Sequence, residues 1–146
     1  MSEARNTQIV KDAYAAFVRG DIGAILNSLD DAVEWEAVKG AEGVAPHAGL
    51  RRGRAAVAEF FGQVADNIHF DTFEPREFVA QGDMVVAIGR YTAKVKSTSR
   101  SLSSDWVMAF KIRDGKVVQF REWTDSARLV WAFGGAPASS AASAVR

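Results

Sequence analysis

Arg113-Asp114-Gly115-Lys116-Val117-Val118-Gln119-Phe120-Arg121-Glu122-Trp123 decides how the rest of the chain is read. Asp-Gly between two runs of alternating residues signals a hairpin, because the tight turn that joins right-twisted strands needs positive φ at its centre. Leu102 to Arg113 alternates on one side of it and Lys116 to Thr124 on the other. Gly82-Asp83 marks a second hairpin between Ile68 to Gln81 and Met84 to Ser97. The second half of the chain therefore reads as four meandering antiparallel strands. Pro75, inside the first of them, has no N–H to give to a ladder. It predicts an edge position or a bulge, the device by which such sheets bend.

Toward the N-terminus the period changes. From Glu3 to Arg19 the apolar residues Ile9, Val10, Ala13, Tyr14 and Phe17 recur at three and four, the spacing of an amphipathic helix, and Gly20 suits its end. Asp21 ahead of Ile22, Ile25, Leu26 and Leu29 predicts a capped second helix closing at Asp30-Asp31. Ala32 to Ala37 reads as a short strand, Lys39 to Arg52 as a long loop, and Val57, Phe60, Phe61 and Val64 as one face of a third helix. Past Asp125, the residues Leu129, Val130, Trp131 and Phe133 form a short apolar helical segment. Residues 134–146 turn to Gly, Ala, Ser and Pro, so a single domain over 1–133 with a disordered tail is expected.

Composition narrows the function classes. A chain of 146 residues that is 48% hydrophobic can bury one real core. Its 18 basic and 18 acidic residues balance without long runs of one sign, which argues against nucleic acid or an anionic membrane surface as a partner. The absence of cysteine removes disulfides, thiolate metal sites and thiol nucleophiles together. No stretch approaches the roughly 18 apolar residues of a membrane span, and Met1 to Thr7 lacks the apolar core of a signal peptide. A cytoplasmic protein with a small hydrophobic ligand is the expectation.

Three helices, a short strand and four long strands follow one another in the order of the cone-shaped nuclear transport factor 2-like fold. Tyr14-Ala15-Ala16-Phe17-Val18-Arg19-Gly20-Asp21, Asp30-Asp31-Ala32-Val33-Glu34-Trp35, Pro46-His47-Ala48-Gly49, Gly53-Arg54-Ala55-Ala56-Val57 and the closing hairpin resemble its SnoaL-like and ketosteroid-isomerase-related members. The resemblance covers nearly everything up to Phe133. It implies an α+β cone, with three N-terminal helices packed on a strongly bent, mostly antiparallel sheet that encloses a pocket. Isomerases, cyclases, dehydratases, epoxide hydrolases and non-catalytic adaptors share that fold, so the resemblance does not choose among them.

In the last strand Val118, Phe120, Glu122 and Thr124 share a face, with Glu122 its lone charge. A carboxylate among apolar neighbours needs a cation or a donor, or its pKa rises. Met84, Val86, Ile88, Arg90 and Thr92 alternate onto a comparable face. A Glu122–Arg90 pair inside the cone is thus expected, with a structural ion pair or two separate rim charges as the alternative. Resemblance to limonene epoxide hydrolases aligns Arg90 and Glu122 with the arginine and one acid of their catalytic triad. Thr92 stands where the other acid would, and a threonine supplies no carboxylate. Resemblance to ketosteroid isomerases aligns Glu36 with their proton-shuttling aspartate, implying a general base. Met108 and Ala13 stand where their oxyanion-holding acid and helix-one tyrosine would, and Tyr14, one residue on, is about 100° around the helix. Strand alternation by itself sends Val33 and Trp35 inward and Glu34 and Glu36 to water, so Glu36 has two readings.

Trp106, Met108 and Phe110 share a strand face and, with Phe17, Phe60 and Phe61, suit a cavity for a flat hydrophobic molecule. Tyr14, Thr92 and His47, the last in the long loop over the mouth, complete the expected binding set, whereas His69 alternates outward. No spaced histidine pair accompanies the missing cysteines, so neither a metal nor a cofactor is expected. Val85, Ala87, Tyr91 and Val95 with Val107, Ala109 and Trp123 leave a second apolar sheet face, which predicts a twofold homodimer, as the resembling proteins form. Two functions fit. One is an isomerase, cyclase or dehydratase acting on a small carbonyl-containing hydrophobic substrate, with Glu36 or Glu122 moving a proton and Arg90 steadying charge. The other is a non-catalytic module that binds a hydrophobic ligand or serves as a dimeric adaptor.

Overall fold

Short polar side chains open three of the helices. Ser2 Oγ accepts from the Arg5 N–H at 3.0 Å to start α1 (Glu3–Val18), and Asp21 does the same for α2 (Ile22–Asn27) through the Ala24 N–H. Asp125 caps α4 (Ser126–Ala132) through Arg128. Gly20, at φ 77°, ends the first helix in the left-handed conformation that favours glycine. The remaining elements are β1 (Leu29–Ala37), β2 (Gly49–Arg52), α3 (Arg54–Asn67), β3 (Ile68–Gln81), β4 (Met84–Val95), β5 (Ser101–Arg113) and β6 (Lys116–Thr124). The computed structural model describes residues 2–135, so the expected tail lies almost wholly outside the described residues. Among the described residues no helix is long and apolar enough to cross a membrane.

One mixed sheet runs in the order β2-β1-β6-β5-β4-β3. Every pair is antiparallel except β1 with β6, which brings the first strand beside the last. Helices α1, α2 and α3 pack on it as expected, and the apolar segment past Asp125 adds α4 as a fourth helix. Two boundaries differ. The first strand begins at Leu29 rather than Ala32, because Leu29 pairs with Val117 and is buried there instead of on the second helix. The end of the expected long loop, Gly49–Arg52, pairs with β1 as a strand of its own. Pro75 fits both halves of its expectation, lying on edge strand β3 beside a register shift between Pro75 and Glu77.

Register determines which residues face inward. Val85, Ala87, Gly89, Tyr91 and Ala93 of β4 pair with Phe110, Met108, Trp106, Ser104 and Leu102 of β5. Met108 and Trp106 pair in turn with Glu122 and Thr124 of β6. This set forms the concave, buried face. Gly89 lies beneath Trp106 so closely that a Cβ would collide with the indole and with the Glu74 carbonyl. The opposite set, Met84, Val86, Ile88, Arg90 and Thr92 with Val107 and Trp123, forms the convex face. The strand phase expected for β4 is therefore reversed: Val85, Ala87, Tyr91 and Val95 belong to the core, not to an outer apolar face. Val118 is also off its expected face, since a bulge between Lys111 and Ile112 turns Val117 into the core in its place.

Candidate functional site

Helices α1–α3 and the concave sheet enclose a cavity of about 90 Å³, space for a small organic molecule. Its wall is aromatic. Tyr14 and Phe17 enter from α1, Phe60 and Phe61 from α3, Phe70 and Phe73 from β3, and Trp35, Tyr91, Phe110 and Phe120 from the other strands. Trp35 stacks on Phe120 with ring centroids 3.8 Å apart, and Phe17 meets Phe73 at 5.0 Å. Such pairs fix ring planes and leave the cavity with stiff sides. The polar groups on the wall are few: Glu122, His47, Thr124, Ser28 and the two tyrosine hydroxyls.

Among the described residues Glu122 is the only carboxylate on that wall. What surface it retains faces the cavity, and among the described residues no cation pairs with it. Burial alone pushes its carboxyl up from 4.5 to about 7, with no donor or positive charge to counter the loss of water. The charge is felt nearby. Tyr14 is held well above 10, first by burial and then by Glu122. Tyr91 is pushed up to about 12, chiefly by burial, with Thr124 working against the rise and Glu122 adding to it.

His47 sits on the loop before β2 and is 4% exposed. Burial, with Arg51 in support, lowers its imidazole to about 4, so it is neutral at pH 7. Its backbone carbonyl accepts from Arg51 at 2.8 Å, while its Nδ1 is buried and has no partner among the described residues. The ring lies 6.0 Å from Phe60 and 6.1 Å from Phe133, so the loop and the end of α4 meet over this side of the cavity.

The expected site residues separate into two groups. Tyr14, Phe17, His47, Phe60, Met108 and Glu122 line the cavity together. Glu36, Arg90, Thr92 and Trp106 do not. Arg90 projects from the convex face to Asp105 at 3.2 Å, so the Glu122–Arg90 pair is not formed. Thr92 follows it outward and shares a 2.8 Å hydrogen bond with Thr72. Glu36 alternates with buried Trp35 and Ala37 and lies off the cavity, as strand periodicity by itself requires. Trp106 is 1% exposed but stands behind the wall, stacked on Tyr14 and Phe73 at 5.4 and 5.2 Å. Tyr14 does reach the cavity, and its hydroxyl donates to Met108 Sδ at 3.0 Å. Tyr91 and Thr124 were not among the expected binding residues. The signal for Tyr91 was its alternation with Gly89 and Ala93, which becomes readable once that row is known to be the buried one.

A curled mixed sheet with three helices over an aromatic cavity defines a cone of the nuclear transport factor 2-like class. The chain belongs to the SnoaL-like domain family, whose model matches residues 10–120. A nuclear transport factor 2-like protein from Burkholderia xenovorans LB400 is similar at 40% identity and TM-score 0.81, over 91% of this chain and 98% of that one. A nuclear transport factor 2-like protein of unknown function from Burkholderia pseudomallei K96243 is similar at 26% identity and TM-score 0.81, over 91% and 98%. TerC, crystallised with polyporic acid, is similar at 28% identity and TM-score 0.77, over 90% and 99%. No curated protein matches the chain.

Proposed function

We propose that the cavity takes a small, flat, largely apolar molecule carrying a carbonyl group, and that Glu122 moves a proton on it in an isomerase-, cyclase- or dehydratase-type reaction. The observation that carries this reading is a single unpaired carboxylate set into an aromatic wall. A buried acid without a cation is costly to a fold, and one whose carboxyl titrates near neutrality can both accept and return a proton. Aromatic side chains favour a planar occupant, and the co-crystal of TerC with polyporic acid supports a small organic one. With Arg90 and Glu36 outside, Glu122 serves alone.

In the chemistry this permits, the Glu122 carboxylate takes a proton from the carbon next to the carbonyl. The C–H electron pair becomes a C=C bond and the carbonyl oxygen gains the charge. Return of the proton to the same or another carbon restores a neutral product. Acetophenone in deuterated buffer is a suitable probe, with label in its methyl group read by mass spectrometry. The protein should speed exchange above the buffer rate, and Glu122→Gln should lower the acceleration at least about a hundredfold. Equal acceleration by the variant would sink the proton-transfer reading.

A further inference from the structure

Tyr14 and Tyr91 both bring a hydroxyl to the cavity near Glu122, but their protons are committed differently. The Tyr14 hydroxyl donates to Met108 Sδ at 3.0 Å. Around Tyr91 lies a small buried network. Ser104 Oγ donates to the Asp105 carbonyl at 2.7 Å and accepts from the Asp125 N–H at 2.9 Å. Ser104 Oγ is also 2.7 Å from Thr124 Oγ1, so with its own proton already given it accepts there from Thr124. Thr124 gives its proton chiefly to Ser104. It is also the donor toward the Tyr91 hydroxyl, 3.5 Å away at the outer edge of hydrogen-bond distance, so Tyr91 accepts there and gives its own O–H to no described group.

The ring of Tyr91 is well held. It is 5% exposed, packs edge-on against Phe70 at 5.4 Å, and pairs across strands with Phe73 and Ser104. A phenol in this state is a fixed donor facing an apolar space, which is what stabilises charge developing on a ligand oxygen at no cost of reorganisation.

We infer that Tyr91 is the donor that holds the ligand's carbonyl oxygen, and the negative charge that forms on it, while Glu122 moves the neighbouring proton. The inference rests on the proton-transfer reading for its catalytic half, but the binding half stands apart from it. It also defines the ligand class more narrowly: a planar molecule whose oxygen acceptor lies beside an acidic C–H, so that both reach the β4 and β6 side of the cavity.

The test compares acetophenone with α-methylstyrene, the same shape with CH2 in place of the carbonyl oxygen, by calorimetric titration of the wild-type chain and Tyr91→Phe. The phenylalanine keeps the ring and its packing. The wild type should prefer the ketone, and Tyr91→Phe should lower ketone affinity about tenfold while leaving α-methylstyrene unchanged. Deuterium exchange into acetophenone should fall about a hundredfold in the same variant. Thr124→Val should keep the ketone preference, because the Tyr91 proton is not committed to it. Unchanged ketone preference in Tyr91→Phe overturns the inference, as does its loss in Thr124→Val, which would move the donor to threonine. If Glu122→Gln exchanges as the wild type does, the proton-transfer reading fails, and the ketone preference still decides the role of Tyr91.

Discussion

The two faces of the same strands treat charge in opposite ways. On the convex face of β4 and β5, Arg90 meets Asp105 across one rung of the ladder, with side chains 40% and 81% exposed. On the concave face, Glu122 meets Met108 across an equivalent rung and has no counter-charge among the described residues. Water screens and solvates the first pair, so its carboxylate and guanidinium have little to gain from each other. The second acid is largely withdrawn from water and has no cation beside it among the described residues, and its titration moves. A sheet one residue thick thus separates ordinary surface electrostatics from a reactive environment, and the separation depends only on which of two neighbouring residues points inward.

The largest expected effect that would break this contrast is structural. Trp106 is 1% exposed and supports the wall through Tyr14 and Phe73. Trp106→Ala should cost about 4 kcal/mol in urea unfolding, and a loss under about 1 kcal/mol would mean that the wall does not depend on it.

The next effect is electrostatic. The folded state raises Glu122 from 4.5 to about 7, so between those values it holds a proton that the unfolded chain has lost. The stability this provides is complete below pH 4.5 and is lost as pH rises through 7, by about 3 kcal/mol. His47 acts with the opposite sign. Its folded value of about 4 lies below 6.5, so its contribution to stability is gained as pH rises through that interval. The two offset each other over their shared range, and the wild-type profile should be nearly level from pH 4.5 to 6.5. Glu122→Gln should uncover the His47 slope and gain about 3 kcal/mol relative to the wild type between pH 4.5 and 8. Parallel profiles for the two proteins would show that Glu122 is not desolvated.

The smallest effect sharpens the contrast from its other side. Arg90→Ala on the convex face should change stability by no more than about 0.5 kcal/mol and leave acetophenone binding unaltered. A larger loss in ketone affinity would return Arg90 to the site.

Much of the fold could be read from residue order. Capping residues, the three-and-four spacing of the helices and the Asp114-Gly115 turn act locally, and local signals survive into the structure. The phase of β4 could not be read in the same way. Met84, Val85, Val86, Ala87 and Ile88 are apolar at every position, so alternation has no polar face to mark the outside. The connection between β4 and β5 spans residues 96–100 rather than a two-residue turn, so no turn geometry fixes their register either. Arg90 and Thr92 were consequently assigned inward and Tyr91 outward. The side on which Glu122 lies is legible from its alternation with Phe120 and Thr124, and not from the Asp-Gly turn, because the bulge at Val118 shifts the register that the turn sets. Glu36 illustrates a conflict between two kinds of argument, in which strand periodicity described its place and family resemblance did not.

The parallel contact between β1 and β6 has a consequence for the order in which the molecule can be completed. β1 forms near the start of the chain and β6 near its end, so their pairing closes most of the polypeptide into one loop, whose entropy is lost before the contact repays it. Glu122, Phe120 and Thr124 all lie on β6. A chain still emerging from synthesis has its first three helices and most of its aromatic side chains, but neither the acid nor the strand that closes the wall. The cavity and its chemistry arrive together, and last.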